Sequence, residues 1–260
     1  MELTYGTYLH IPELLELQEP LSEPEEHDEL LFIIVHQVYE LWFKQLLHEA
    51  AKIKVDFSEN RPFGAIHTFK RSRTILKTLV GQLDILETMT PLSFLAFRDR
   101  LERASGFQSM QFREFEFAFG WKRTDVLKHY RQDLLGLDRV QQRMRERSVP
   151  DHFYDFLEHQ GVEVPEELKA RDVTLPHVAN KTVQDGVYEL FQIAPHLRIL
   201  FELMLDFDEG QQEWRYRHVK LVERTVGNKQ GTGGSKGVAF LKRTLFVPFF
   251  PDLWAIRHRM

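Results

Sequence analysis

Residues 28–57 constrain the fold more than any other part of the chain. Leu31, Ile34, Val38, Leu41 and Gln45 share one face of a 3.6-residue helix; Phe32, His36, Tyr39 and Phe43 share another, at spacings of 4, 3 and 4. A helix that is apolar on two faces has to be covered on both, so it belongs inside a bundle. Asp28 suits the N-cap. The periodicity then recurs. Ile66, Phe69, Leu76, Leu79, Val80, Leu83 and Leu86 predict a second long helix over 63–89. Thr90-Pro91, a cap followed by proline at the first helical position, restarts the chain into a third helix carrying Phe94, Phe97, Arg98 and Leu101, which ends near Ser105-Gly106. Further helices are predicted over 108–119 and 124–148, the latter charged and amphipathic. Shorter elements broken by Gly161, Pro165 and Pro176 follow, and then two long stretches interrupted at Pro195. A glycine-rich loop occupies 227–237, and Pro248 and Pro251 break the last helical segment. Residues 1–27, punctuated by Pro12, Pro20 and Pro24, read as irregular apart from a short helix over 12–18. Nothing alternates with a β period. The expected fold is all-α: one helical-bundle domain over 1–260, with a small helical insertion at about 124–175.

Composition removes several classes of function. The absence of cysteine excludes disulfides, thiolate metal sites, iron–sulfur clusters and covalently attached haem. The net charge of -5, and a densest basic run (143–147) interleaved with Met144 and Glu146, leave no footprint for nucleic acid. The strongest apolar run, 30–43, contains His36, Gln37 and Glu40 and falls short of the ~18 residues that a membrane helix needs. The first residues show no basic-then-apolar leader pattern. The expected location is the cytoplasm, without membrane attachment. The 21 phenylalanines give ring surface for a core and for a flat pocket.

Three side chains stand out because they are polar on apolar faces. His218 lies on the stripe Trp214, His218, Leu221, Val222, Thr225, while Arg215, Arg217 and Lys220 are expected to point elsewhere. A histidine in that setting is either a core residue with a satisfied ring or an axial ligand to a metal or haem, since neutral imidazole is the commonest metal ligand. His36, between Phe32 and Tyr39, reads as a core residue, a base, an acceptor for a substrate N–H, or a second ligand. Arg98, after Phe94 and Phe97, either pairs with a neighbour such as Glu102 or grips a carboxylate with its planar fork. Bare metal sites are poorly supported: His36 and Glu40 are spaced to share a metal, but no second pair joins them. Residues 231–235 (Gly-Thr-Gly-Gly-Ser) form either a plain surface loop or a nest of backbone N–H groups for an anion, without the ending of a P-loop.

With these residues in place, the chain resembles the tryptophan 2,3-dioxygenase family. The carrying stretches are Leu3-Thr-Tyr-Gly-Thr-Tyr-Leu9; His27-Asp-Glu-Leu-Leu-Phe-Ile-Ile-Val-His-Gln37 with Glu40-Leu-Trp42; Phe97-Arg-Asp99; Ser105-Gly-Phe-Gln-Ser109; Trp214-Arg-Tyr-Arg-His218; and Gly231-Thr-Gly-Gly-Ser-Lys-Gly237. Each alone is modest, but they stand in the family's order and spacing across essentially the whole chain. The resemblance implies a helical bundle enclosing one non-covalent haem b per subunit, a homotetramer, and insertion of both atoms of O₂ across the indole C2–C3 bond of L-tryptophan. The product is N-formyl-L-kynurenine, the first step of the kynurenine route. It implies that His218 is the axial iron ligand, that His36 accepts a hydrogen bond from the indole N–H, and that Arg98 pairs with the substrate carboxylate. Thr232 would contact the substrate's ammonium and carboxylate, Phe32 and Phe94 would line the pocket, and Ser105 would lie near the haem. Tyr5 and Tyr8 would reach into a neighbouring subunit's site, from a segment nearly minimal here because Met1 stands just before Tyr5. The alternative within the superfamily is a haem monooxygenase of substituted indoles or aromatic amino acids. The His36, Arg98 and Thr232 set favours L-tryptophan. A non-catalytic haem carrier would need His218 but no carboxylate clamp.

Overall fold

A computed structural model describes residues 3–102, 104–128, 130, 134–227 and 237–260. Every regular element among the described residues is helical. Two short helices, α1 (Tyr5–Leu9) and α2 (Ile11–Leu15), lead into α3 (His27–Ser58), α4 (Pro62–Leu86), α5 (Pro91–Arg98) and α6 (Met110–Ala118). Then come α7 (Thr124–Leu127), α8 (Leu137–Arg145), α9 (Val149–His159), α10 (Glu166–Lys169), α11 (Lys181–Ile193), α12 (Pro195–Thr225), α13 (Val238–Lys242) and α14 (Pro251–Ala255).

Three long helices form the frame. α3 and α4 are antiparallel: Phe57 meets Phe69 near their shared turn, and the Tyr39 hydroxyl reaches the Leu79 carbonyl further along. α12 runs parallel to α4. The rings of Phe63 and His196 lie 6.4 Å apart at one end, and Arg217 and Arg224 pair with Asp84 and Glu87 at the other. α9 covers the far end of α3, with the Phe57 ring 5.5 Å from Phe153 and 5.3 Å from Phe156. Much of the phenylalanine content collects where α6, α12 and the C-terminal segment meet. Phe119 lies 4.7 Å from Phe207 and 5.2 Å from Phe249. Buried Asp208 fastens that segment by accepting from the backbone N–H groups of Phe249 and Phe250 and from the Trp254 indole.

By length and a mean hydropathy of 1.2 over its most apolar window, α3 passes for a membrane span. Three of its carboxylates are nonetheless tied inside the bundle. Glu40 accepts from Ser109 and Gln111, Glu49 from Arg71, and Asp56 from Lys52, with Arg61 paired to it as well.

The predicted helix over 124–148 is two helices. Gly136 takes a left-handed φ of 84° immediately before α8, which an L side chain seldom adopts, and the chain cannot stay helical through it. The two sides of this region also pack differently. Val126, Tyr130, Leu137 and Val140 gather around Met110 and Phe117, whereas Val149, Phe153, Phe156 and Leu157 belong to the main core. At the N-terminus α1 departs from the irregular reading: Thr4 and Thr7 make a reciprocal capping box. The cap of α3 falls on Glu26, with Asp28 in the first turn. α5 ends at Arg98, earlier than expected. A single tight turn follows, and Glu102 at a φ of 45° redirects the chain.

A candidate active site between α3 and α12

A cavity of about 310 Å³ lies between α3, the end of α4, α5, α6, α12 and α13. Six of the residues singled out in the sequence line it: Phe32, His36, Phe94, Arg98, Ser105 and His218. Phe32 is the hub of the α3–α5 wall, its ring 5.8 Å from Phe94 and 5.5 Å from Phe97. Arg98 stands in the last turn of α5, one turn beyond Phe94, and lines the same space. The Ser105 hydroxyl accepts from the Phe107 N–H and so shapes the short turn at the cavity edge. Tyr5 and Tyr8 lie on α1, away from the cavity, and are 78% and 70% exposed. Thr232 lies outside the described residues.

His36 is oriented by its own helix. Its Nδ1 sits 2.7 Å from the Phe32 carbonyl oxygen, and because a carbonyl can only accept, Nδ1 carries the proton. Nε2 of the neutral ring is therefore an acceptor. Burial lowers the pKa of His36 and outweighs the opposing effects of that hydrogen bond and of Glu40. The Phe32 ring covers the imidazole at 4.0 Å.

His218 is set differently. Its imidazole lies parallel to the Trp214 indole, with 5.2 Å between centroids and 3° between planes. Its pKa is pushed down to about 4 by burial, with His36 and Arg215 adding in the same direction. The ring is neutral near pH 7, the state in which imidazole offers a lone pair to a metal. Among the described residues, no group of three or more His, Asp or Glu stands close enough to hold a bare metal ion.

The cavity's charged end is assembled largely by tertiary contact. Glu116 is fully buried and pairs with Arg113, with Arg215 at 2.8 Å and with Arg123 at 3.3 Å. Burial would raise its pKa, but Arg113, Arg215 and Arg123 overcome that and lower it. Burial brings Arg215 down to about 10, which still leaves it protonated at neutral pH. All four residues line the cavity, so among the described residues this end carries three positive charges against one negative. Arg215, expected to point away, faces inward and stacks on Trp121 at 4.0 Å, while Arg217 reaches outward to Asp84. Only the Arg113–Glu116 pair was visible as a helical i,i+3 spacing; Arg123 and Arg215 arrive by tertiary contact.

The sequence profile of tryptophan 2,3-dioxygenase matches residues 1–145 and 187–260. The chain belongs to the tryptophan 2,3-dioxygenase family. A tryptophan 2,3-dioxygenase of Herpetosiphon aurantiacus is 53% identical over 255 residues, covering 98% of this chain and 97% of the relative. Those of Anaeromyxobacter dehalogenans and Saccharopolyspora erythraea are 49% and 41% identical, each covering 98% of this chain and 95% and 92% of theirs. The family's stretches around His36, around Arg98 and Ser105, and around His218 come from three parts of the sequence and converge on this one cavity.

Proposed function

We propose that the cavity binds haem b and L-tryptophan together and that the chain is a haem-dependent dioxygenase converting L-tryptophan and O₂ to N-formyl-L-kynurenine. The observation that carries this reading is that His36, His218 and Arg98 line one cavity, with a cluster of arginines around Glu116 at the His218 side. The chemistry of the walls fits the cofactor. A porphyrin is an apolar disc with a carboxylate-bearing edge. The lining is mostly aromatic and aliphatic, and three arginines outnumber Glu116 at one end. His218 supplies a neutral nitrogen for the iron, and Arg113, Arg123 and Arg215 the charge for the propionates. When bound, the haem supplies the oxygen chemistry that opens the indole ring.

The residues on the α3–α5 side then bind and orient the substrate. Tryptophan is a zwitterion with a flat apolar ring. Phe32 and Phe94 take the ring, and the Arg98 fork takes the carboxylate. Nε2 of His36, an acceptor by virtue of the Phe32 bond, receives the indole N–H. His36 thus positions the ring and holds that proton in place. The family resemblance assigns the ammonium and carboxylate to Thr232, which lies outside the described residues. The apolar walls exclude water and strengthen each of these contacts.

Tyr5 and Tyr8 are assigned to the site of a neighbouring copy. They sit on an arm whose Leu3, Leu15, Leu17 and Leu21 are also exposed, an apolar surface that a homotetramer would cover. The cytoplasm is the proposed compartment.

Visible spectra of the purified protein, ferric and reduced, with and without L-tryptophan, test the reading. A histidine-ligated Soret band that shifts on adding tryptophan is expected, along with a product heavier by two oxygen atoms. Absence of bound haem overturns the reading, and a product heavier by one oxygen overturns the dioxygenase assignment.

A further inference from the structure

An axial imidazole can rotate about its Cβ–Cγ bond, and the energy wells of that torsion are broad. In most metal sites a hydrogen bond from the second ring nitrogen removes this freedom. The bundle restrains the His218 ring with a stacked face. Trp214 lies one turn earlier on α12, and residues four apart on a helix sit one above the other. The two rings are parallel within 3°.

Trp214 is itself fixed. Its indole Nε1 donates to the Tyr39 hydroxyl at 3.4 Å, and that hydroxyl donates to the Leu79 carbonyl of α4. Phe43 meets the indole edge-on at 89°, and Phe112 of α6 packs 5.0 Å away. Trp214 and Tyr39 are both buried. Elements α3, α4, α6 and α12 therefore converge on one indole, and the indole sets the plane of one imidazole. Tyr39 also stands three residues after His36, so one helix positions both histidines.

We propose that Trp214 and Tyr39 are positioning residues for the axial histidine, the indole fixing the plane of the His218 ring and the tyrosine hydroxyl fixing the indole. This rests on the haem assignment of His218.

Three substitutions separate the parts. Tyr39→Phe removes the acceptor and keeps the packing; Trp214→Phe keeps a stacking ring without the N–H; Trp214→Leu removes both. In haem-free protein carrying labelled histidine, the His218 ring protons are expected upfield through the indole ring current and are expected to move downfield in Trp214→Leu. In ferrous, haem-loaded protein, resonance Raman reads the iron–histidine stretch. A narrow band is expected for the wild type, a broadened one for Tyr39→Phe, and a displaced and broadened one for Trp214→Leu, with Trp214→Phe restoring most of the wild-type position. Haem affinity is expected to fall about 10–100-fold in Trp214→Leu, the usual range for losing a supporting residue behind a ligand. Wild-type band position, width and affinity in Trp214→Leu overturn the proposal. If that variant does not fold, unchanged bands in both Tyr39→Phe and Trp214→Phe overturn it. A wild-type protein without an iron–histidine band, or a band that survives in His218→Ala, overturns the haem assignment instead, and the haem-free spectra still report on the stack.

Discussion

On the α3 wall of the cavity, the imidazole of His36 is fixed by a hydrogen bond to the Phe32 carbonyl; on the α12 wall, the imidazole of His218 is fixed by the face of Trp214. The hydrogen bond selects a tautomer as well as an orientation, which a group that must receive an N–H requires. The stack sets an orientation without choosing a tautomer, which suffices for a group whose tautomer a bound iron would itself set. Both rings are kept neutral by burial, so the same desolvation serves an acceptor on one side and a ligand on the other.

This contrast ranks the consequences of breaking each wall. His218→Ala is expected to have the largest effect: tight haem binding and turnover are both lost, read from the Soret band and from product formation. An unaltered Soret band would remove His218 from the iron. Arg98→Ala comes next. It should leave the haem spectrum intact and raise the tryptophan KM by about 30–100-fold, the ~2–3 kcal/mol expected for a charge-assisted hydrogen bond. Unchanged kinetics would end its assignment to the carboxylate. His36→Ala loses one neutral hydrogen bond, worth about 1–1.5 kcal/mol, so turnover should fall roughly tenfold and persist. Complete loss of turnover with normal substrate binding would instead make His36 an essential base.

The smallest effect is a displacement in pH. Burial lowers the pKa of His36, so the ring stays neutral, and able to accept, below the ordinary histidine value of about 6.5. As pH falls through the lowered pKa, the ring gains a proton and the acceptor disappears. The acid limb of kcat/KM should therefore lie below pH 6.5 and vanish in His36→Ala. An acid limb at or above 6.5, or one unchanged in that variant, would contradict the assigned role.

The frame was readable in the residues because its signal is local. The two-faced pattern of 28–57, the leucine stripe of 63–89 and Pro195 each appear as an element or boundary within a few residues of the expected place. Of the candidate site, His36, Arg98 and His218 could be picked out as polar groups on apolar faces, and the cavity brings them together. What stayed hidden depends on contacts between distant segments. Gly136 bars a continuous helix because its backbone is left-handed, and a Cβ there would press on Met110 and Arg139, which helical periodicity does not record. Arg215 looked like a solvated neighbour of His218 and turns inward because Glu116, on α6, waits for it. Tyr39 looked like core filling, and its role at Trp214 rests on a partner 175 residues away.

The arrangement around Glu116 has a bearing on the life of the chain before any substrate arrives. Among the described residues, two buried guanidinium groups and a partly buried third face one carboxylate, a positive surplus largely shielded from water and a cost to the folded state. On the proposed reading, two propionates are the missing counterions. Haem would then complete the protein's internal neutrality, and its binding free energy would add directly to that of folding. Because proteases act on the transiently opened chain, the quantity of enzyme a cell retains would follow its supply of haem as well as its rate of synthesis.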